Sequence, residues 1–119
     1  MKKTLVLGAS TSPDRYSYKA IHLLRQHGHP VLAVGRSEGN VADVNIQHEW
    51  PAHEAVDTVT MYVAPQHQKT YYDSIIRLKP NRIIFNPGTE NAELEALAHE
   101  HGIATEEACT LVLLNTNQY

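Results

Sequence analysis

The stretch Gly8-Ala9-Ser10-Thr11-Ser12-Pro13-Asp14-Arg15 follows the short apolar run Leu5-Val6-Leu7. Gly8 permits a sharp turn of the backbone. Ser10, Thr11 and Ser12 place hydroxyl groups beside the N–H groups expected at the start of a helix. Such a helix end carries partial positive charge and unpaired donors, which suits a phosphate or diphosphate. Arg15 could add a charge-assisted hydrogen bond. The same hydroxyls could equally do no more than cap the helix, and the glycines that would complete G-x-G-x-x-G are absent. A second segment, Gly35-Arg36-Ser37, ends another apolar run. In a nucleotide-binding half-sheet this point reaches the ribose, where a basic residue favours a phosphorylated ribose, as in NADP or coenzyme A. A solvated surface arginine is the alternative. Val63-Ala64-Pro65 follow a third run, and their small side chains would let a ligand lie against the backbone. They would equally suit a proline-initiated helix. Asn86 and Asn91 flank Pro87-Gly88 and could bind a ligand amide or the turn's own backbone.

Other chemistries find less support. The eight histidines form no metal motif: His99 and His101 point to different helix faces, His27 and His29 bracket a helix-ending glycine, and surface positions account for them. Cys109 has no His or Asn partner by spacing and reads as an inert thiol, with a mixed disulfide to CoA as the lesser reading. There is no G-x-S-x-G nucleophile turn. A phosphoacceptor receiver would need an acidic pair after the first strand, where Gly8 stands. A flavodoxin would need a different phosphate loop.

The elements that must position these residues alternate. Residues 3–7, 30–34, 56–63 and 82–86 read as strands, with weaker ones near Val44–Gln47 and Ile103–Thr105. Residues 17–28 carry Ala20, Ile21, Leu23 and Leu24 at helical spacing and stop at Gly28. A helix opens at Pro65, with Tyr71, Ile75 and Leu78 on one face, and ends at Pro80. Asn91 is a plausible N-cap for a helix whose apolar stripe is Leu94, Leu97, Ala98 and His101. Residues 108–114 form a last helix. Strands alternating with helices imply right-handed crossovers. The expected fold is α/β: a three-layer, Rossmann-like, doubly wound parallel sheet of about five strands. Residues 1–119 form one domain.

Composition agrees. The chain has 119 residues, 42% hydrophobic and 19% charged, as a globular domain does. Ten Lys and Arg against thirteen Asp and Glu give a net charge of −3, which argues against a nucleic-acid or membrane-surface protein. No apolar run approaches the ~18–20 residues of a membrane span. Met1-Lys2-Lys3 imitates a signal peptide, but the run after it ends at Gly8. One cysteine excludes an internal disulfide framework and fits a cytoplasmic home.

The string Gly8-Ala9-Ser10, Pro13, Arg15, Ser17-Tyr18, then Gly28-His29-Pro30-Val31, resembles the small bacterial and archaeal CoA-binding proteins. These are single Rossmann-like domains similar to the amino-terminal domain of the succinyl-CoA synthetase alpha subunit. The resemblance continues through Val56-Asp57-Thr58-Val59, Gly88, Asn91-Ala92-Glu93, Gly102-Ile103 and Cys109. It implies that Gly8, Ser10 and Pro13 surround the CoA diphosphate with Arg15 nearby. It also implies that Arg36 lies near the adenosine phosphate, and that Val63, Ala64 and Pro65 border the adenine and ribose. Two positions depart from the pattern: Gly35-Arg36 replaces Asn-Pro after the second strand, and Val63 stands where an arginine is usual. The synthetase's catalytic histidine belongs to a second domain, so a non-catalytic module for CoA or an acyl-CoA is expected. The cofactor-binding residues expected are Gly8, Ala9, Ser10, Thr11, Ser12, Pro13, Arg15, Gly35, Arg36, Val63, Ala64, Pro65 and Gly88. The alternatives are an NAD(P)-binding oxidoreductase-like domain, and an interaction subunit without a ligand. A homo-oligomer or a protein partner stays open.

Overall fold

Apolar side chains alternate along the strands, and the alternation builds two cores. In β1 (Thr4–Leu7), Leu5 and Leu7 face one side and Val6 the other. In β2 (Val31–Val34), Val34 joins Leu5 and Leu7, while Ala33 joins Val6. This period of two is what a sheet buried on both faces requires. A computed structural model describes residues 1–51 and 53–119. Its helices cover both faces. α1 (Tyr16–Gln26) supplies Ile21 and Leu24 to one core, and α4 (Thr110–Asn115) supplies Leu114. α2 (Tyr72–Leu78) supplies Ile75 to the other, and α3 (Ala92–Glu100) supplies Leu94 and Ala98.

The remaining strands are β3 (Gly39–Val41), β4 (Val44–Gln47), β5 (Thr58–Met61), β6 (Arg82–Phe85) and β7 (Ala104–Glu107). The sheet order is β3-β4-β2-β1-β5-β6-β7. All neighbours are parallel except β3 and β4. The three-layer, mostly parallel architecture matches the expectation, but the sheet has seven strands rather than five. The weak strand at 44–47 is real, and it arrives through a hairpin that pairs Val41 with Val44. The hairpin turns at Ala42, whose φ is +55°. Arg25 of α1 grips the turn, its Nε and Nη2 each donating to Asp43 at 2.8 Å. β7 extends beyond the expected 103–105 and pairs with β6 along four residues, Ala104 to Glu107.

Two further expectations need correction. The helix expected from Pro65 is broken into 3-10 turns at Pro65–His67 and Lys69–Tyr71 before α2 begins. Gln68 sits between them, fully buried. Its Nε2 donates to Val63 O at 2.9 Å and Thr89 O at 2.8 Å, and its Oε1 accepts from Asn91 Nδ2 at 2.9 Å. Those bonds hold the backbone in the tighter turn. His101 does not share the apolar stripe of α3: it is exposed and lies past the helix end. Asn91 is the cap expected, its Oδ1 accepting from Leu94 N at 3.2 Å. No helix among the described residues is long and apolar enough to cross a membrane.

Candidate functional site

β1 lies between β2 and β5, so the chain leaves β1 at the point where the strand order reverses. Crevices form at such a point, outside the carboxyl ends of the strands. Three segments meet there: residues 8–15 after β1, 35–37 after β2, and 62–71 after β5. Glycines let them approach. Gly8 has φ +95°, and a Cβ there would lie 2.9 Å from the carbonyl carbon of Tyr62. A Cβ on Gly35 would lie 2.3 Å from Ala9 O. The N–H groups of Gly8 and Ala9 both donate to Val34 O at 2.9 Å, which fixes the turn.

Beyond Ala9 the loop is organised by its own groups. Ser12 N donates to Ser10 Oγ at 3.1 Å, and Arg15 N donates to Ser12 O at 3.0 Å. α1 then starts without a side-chain cap. The alternative, in which the loop hydroxyls do no more than cap the helix, finds no such bond among the described residues, so the first N–H groups of α1 have no side-chain cap.

The three segments enclose a cleft of about 680 Å³. It brings together Gly8, Ala9, Ser10, Thr11, Ser12 and Arg15 from the first loop, Gly35 and Arg36 from the second, and Val63 and Ala64 from the third. Pro13, Pro65 and Gly88 are outside its lining. Pro13 is exposed in the first loop, and Pro65 starts a 3-10 turn. Gly88 lies in the β6–α3 loop, with φ +91° and its N–H bonded to Glu90 Oε1 at 2.9 Å. It serves that turn and not the cleft. The cleft also includes residues that were not singled out as binding: Ser37, Tyr62, Gln66, His67, Lys69, Thr70 and Tyr71. Ser37, Tyr62 and Gln66 adjoin residues that were. Tyr71 was read as part of a helix's apolar face; it does pack against the core beside Ile75 and Leu78, and it lines the cleft as well.

The electrostatics of the cleft are one-sided. Arg15, Arg36 and Lys69 come from three different walls, and no Asp or Glu is among the lining residues. None of the three cations forms an ion pair with a carboxylate among the described residues.

Asn86 and Asn91, offered as ligand contacts or as turn partners, bond the protein. Asn86 is buried. Its Nδ2 donates to Thr60 Oγ1 at 2.7 Å and Met61 O at 2.9 Å, and its Oδ1 accepts from Thr110 N at 2.9 Å. Thr60 and Thr110 hydroxyls share a further bond of 2.8 Å. The Tyr62 hydroxyl is buried nearby without a hydrogen-bond partner among the described residues. The Thr60 and Thr110 hydroxyls lie close enough to offset part of the effect of its burial. Burial pushes the Tyr62 phenol up to about 12. Cys109 precedes α4, half-buried and outside the cleft lining. Among the described residues, no cluster of His, Cys, Asp and Glu could hold a metal ion.

Comparison with known proteins places this geometry. No curated protein matches the chain. A solved structure described as that of an uncharacterized protein is 50% identical, with a TM-score of 0.96 over 100% of this chain and 98% of that one. The structure of cell-free ID.343 from Thermus thermophilus is 22% identical, with a TM-score of 0.87 over 99% of this chain and 90% of that one. A dinucleotide-forming acetyl-coenzyme A synthetase 1 from Ca. Korarchaeum cryptofilum, in complex with phosphate and ADP, shares the fold. It has a TM-score of 0.74 at 16% identity, and the match covers 90% of this chain and 25% of that one. The model of the CoA binding domain family matches residues 2–115. With nearly its whole length matched, the chain belongs to the CoA binding domain family.

Proposed function

We propose that the protein is a non-catalytic module that binds coenzyme A or an acyl-CoA in the cleft at the carboxyl ends of β1, β2 and β5. The observation that carries this reading is the cleft's charge: three cations on three walls with no carboxylate among its lining. A ligand with anionic groups at separate points fits such a site, and CoA has a diphosphate and a ribose phosphate. The residues fit that group in a second way. At Gly8 and Gly35 there is no room for a Cβ, so the first loop can present backbone N–H groups beside the uncapped start of α1, as a diphosphate requires.

In this reading Gly8, Ala9, Ser10, Thr11 and Ser12 surround the diphosphate with Arg15. Arg36 binds the ribose phosphate, and Val63 and Ala64 border the nucleoside. Lys69 supplies charge from the third wall, where the position of Val63 has none. Among the described lining residues His67 has no carboxylate partner and no nucleophilic thiol beside it, which supports binding without turnover. The role proposed is that of a binding module in a reducing cytoplasm.

The experiment is thermal unfolding with CoA, acetyl-CoA, dephospho-CoA, NADP and buffer. A ligand at one hundred times its Kd adds about 2.7 kcal/mol. CoA and acetyl-CoA should raise the midpoint by several degrees, and dephospho-CoA by less. Arg36→Ala should erase the difference between CoA and dephospho-CoA. A shift with NADP alone would instead favour a nicotinamide-nucleotide site. No shift with any of them at millimolar concentration would refute the CoA reading.

A further inference from the structure

The cleft has two kinds of wall. The loops after β1 and β2 present glycines, hydroxyls and the guanidinium groups of Arg15 and Arg36, which is the chemistry of an anion site. The segment after β5 differs. Its lining includes Tyr71, Gln66 and Thr70, whose hydroxyl donates to His67 O at 3.3 Å and keeps its acceptor sites. An aromatic face beside hydrogen-bonding groups is suited to a planar heterocyclic base. The ring supplies stacking that every base can use, and the amide and hydroxyl can reach its polar edge.

Tyr71 is also held in place. Its ring lies against Trp50, with centroids 6.1 Å apart and planes at 32°. Both rings pack on the core beneath α2 and α3. The backbone just before it is pinned by the three hydrogen bonds of buried Gln68. A ring fixed in this way loses little freedom when a ligand stacks on it. We propose that Tyr71, braced by Trp50, is the stacking residue for the purine base of the bound nucleotide. The wall from Gln66 to Tyr71 then selects nucleotides over simple phosphates. This rests on the reading of the cleft as a CoA site and adds to it the residue that receives the base.

Trp50 is the single tryptophan, so its fluorescence reports on this wall. Trp50 emission and the unfolding midpoint are followed together during titration with CoA, adenosine 3′,5′-bisphosphate and pyrophosphate. The two nucleotides should change the emission saturably, with the same Kd that the thermal shift gives. Pyrophosphate should leave the emission unchanged. Tyr71→Leu, which keeps apolar bulk on the core, should weaken CoA binding roughly tenfold or more. Tyr71→Phe should bind as the parent does, because stacking needs the ring and not the hydroxyl. The emission measurement on the unaltered protein stands even if Tyr71→Leu fails to fold. If CoA stabilises the protein while Trp50 emission stays constant and Tyr71→Leu binds normally, the base-stacking assignment is wrong and the CoA reading survives. If CoA neither stabilises the protein nor changes the emission, the CoA reading falls, and this assignment with it.

Discussion

Gly35→Ala would place a methyl group 2.3 Å from the carbonyl oxygen of Ala9. Ordinary contact begins near 3.4 Å, so one backbone must move by about an ångström. Neither can move freely. Gly35 is buried, and its N–H donates to Gln47 O at 3.0 Å. Ala9 is 6% exposed and donates to Val34 O. Forced overpacking of this kind costs about 1–3 kcal/mol. At roughly 2 kcal/mol the unfolding midpoint of a domain this size should fall by roughly 6–12 °C. The displaced Ala9 carbonyl lies in the loop assigned to the diphosphate, so the stabilisation by CoA should shrink as well. Gly88→Ala is the control. Its φ of +91° makes a side chain there strained, but no atom lies within 4 Å of the new Cβ. It should cost about 1 kcal/mol and leave the CoA shift intact. The assay is thermal unfolding of the three proteins with and without CoA. If Gly35→Ala melts within a degree of the parent, the close approach of the loops after β1 and β2 is wrong. If Gly35→Ala and Gly88→Ala lose the same CoA shift, the link between that approach and the ligand is wrong.

Three further outcomes follow from the same geometry. Tyr62→Phe removes a buried hydroxyl without a partner, so stability in urea should stay level or rise by up to about 1 kcal/mol. A loss larger than that would show that the hydroxyl is bonded. Asn86→Ala removes three hydrogen bonds that tie β5, β6 and α4 together. It should cost roughly 2–4 kcal/mol in a denaturant titration, and an unchanged midpoint would contradict the network. Burial, then the positive charges of His27, the N-terminus, Lys2 and Arg82, hold the His29 imidazole below its ordinary 6.5. Lys2 N also donates to His29 Nδ1 at 3.1 Å, which requires that nitrogen to be unprotonated. The unfolded chain therefore binds the proton more readily, and the stability from neutral His29 is present above about pH 6.5 and is lost as pH falls through the depressed value. Thermal melts from neutral to acidic pH should show a steeper loss in the parent than in His29→Gln, and parallel curves would remove this group from the account.

The parts legible in the sequence are those fixed by local rules. Leu5-Val6-Leu7 ending at Gly8 specifies a buried strand and its turn. Val31 to Gly35 does the same next door, and two parallel strands side by side bring Arg15 and Arg36 to one rim. The hairpin of β3 and β4 was less legible. Its turn at Ala42-Asp43 lacks the usual Asn-Gly signal and is held by Arg25, eighteen residues earlier. The segment after Pro65 reads as a helix because its apolar spacing is helical. What breaks it is Gln68, whose partners at Thr89 and Asn91 lie more than twenty residues on. Tyr71 keeps its place against the core beside Ile75 and Leu78 and also lines the cleft. Gly88 shows the opposite limit: the sequence identifies a turn that needs glycine, but the direction of the turn depends on β6 and its own neighbours. At the Ala42 turn and at Gln68, a long-range contact overrides a local preference.

Amide chemical-shift mapping with CoA tests the central claim most directly, because every residue except the prolines and the N-terminus carries a backbone amide N–H that reports its own surroundings. The account predicts saturable shifts concentrated in residues 8–19, 35–37 and 62–71, with α3 and β7 unmoved. Shifts centred elsewhere, or none at millimolar CoA, would contradict it.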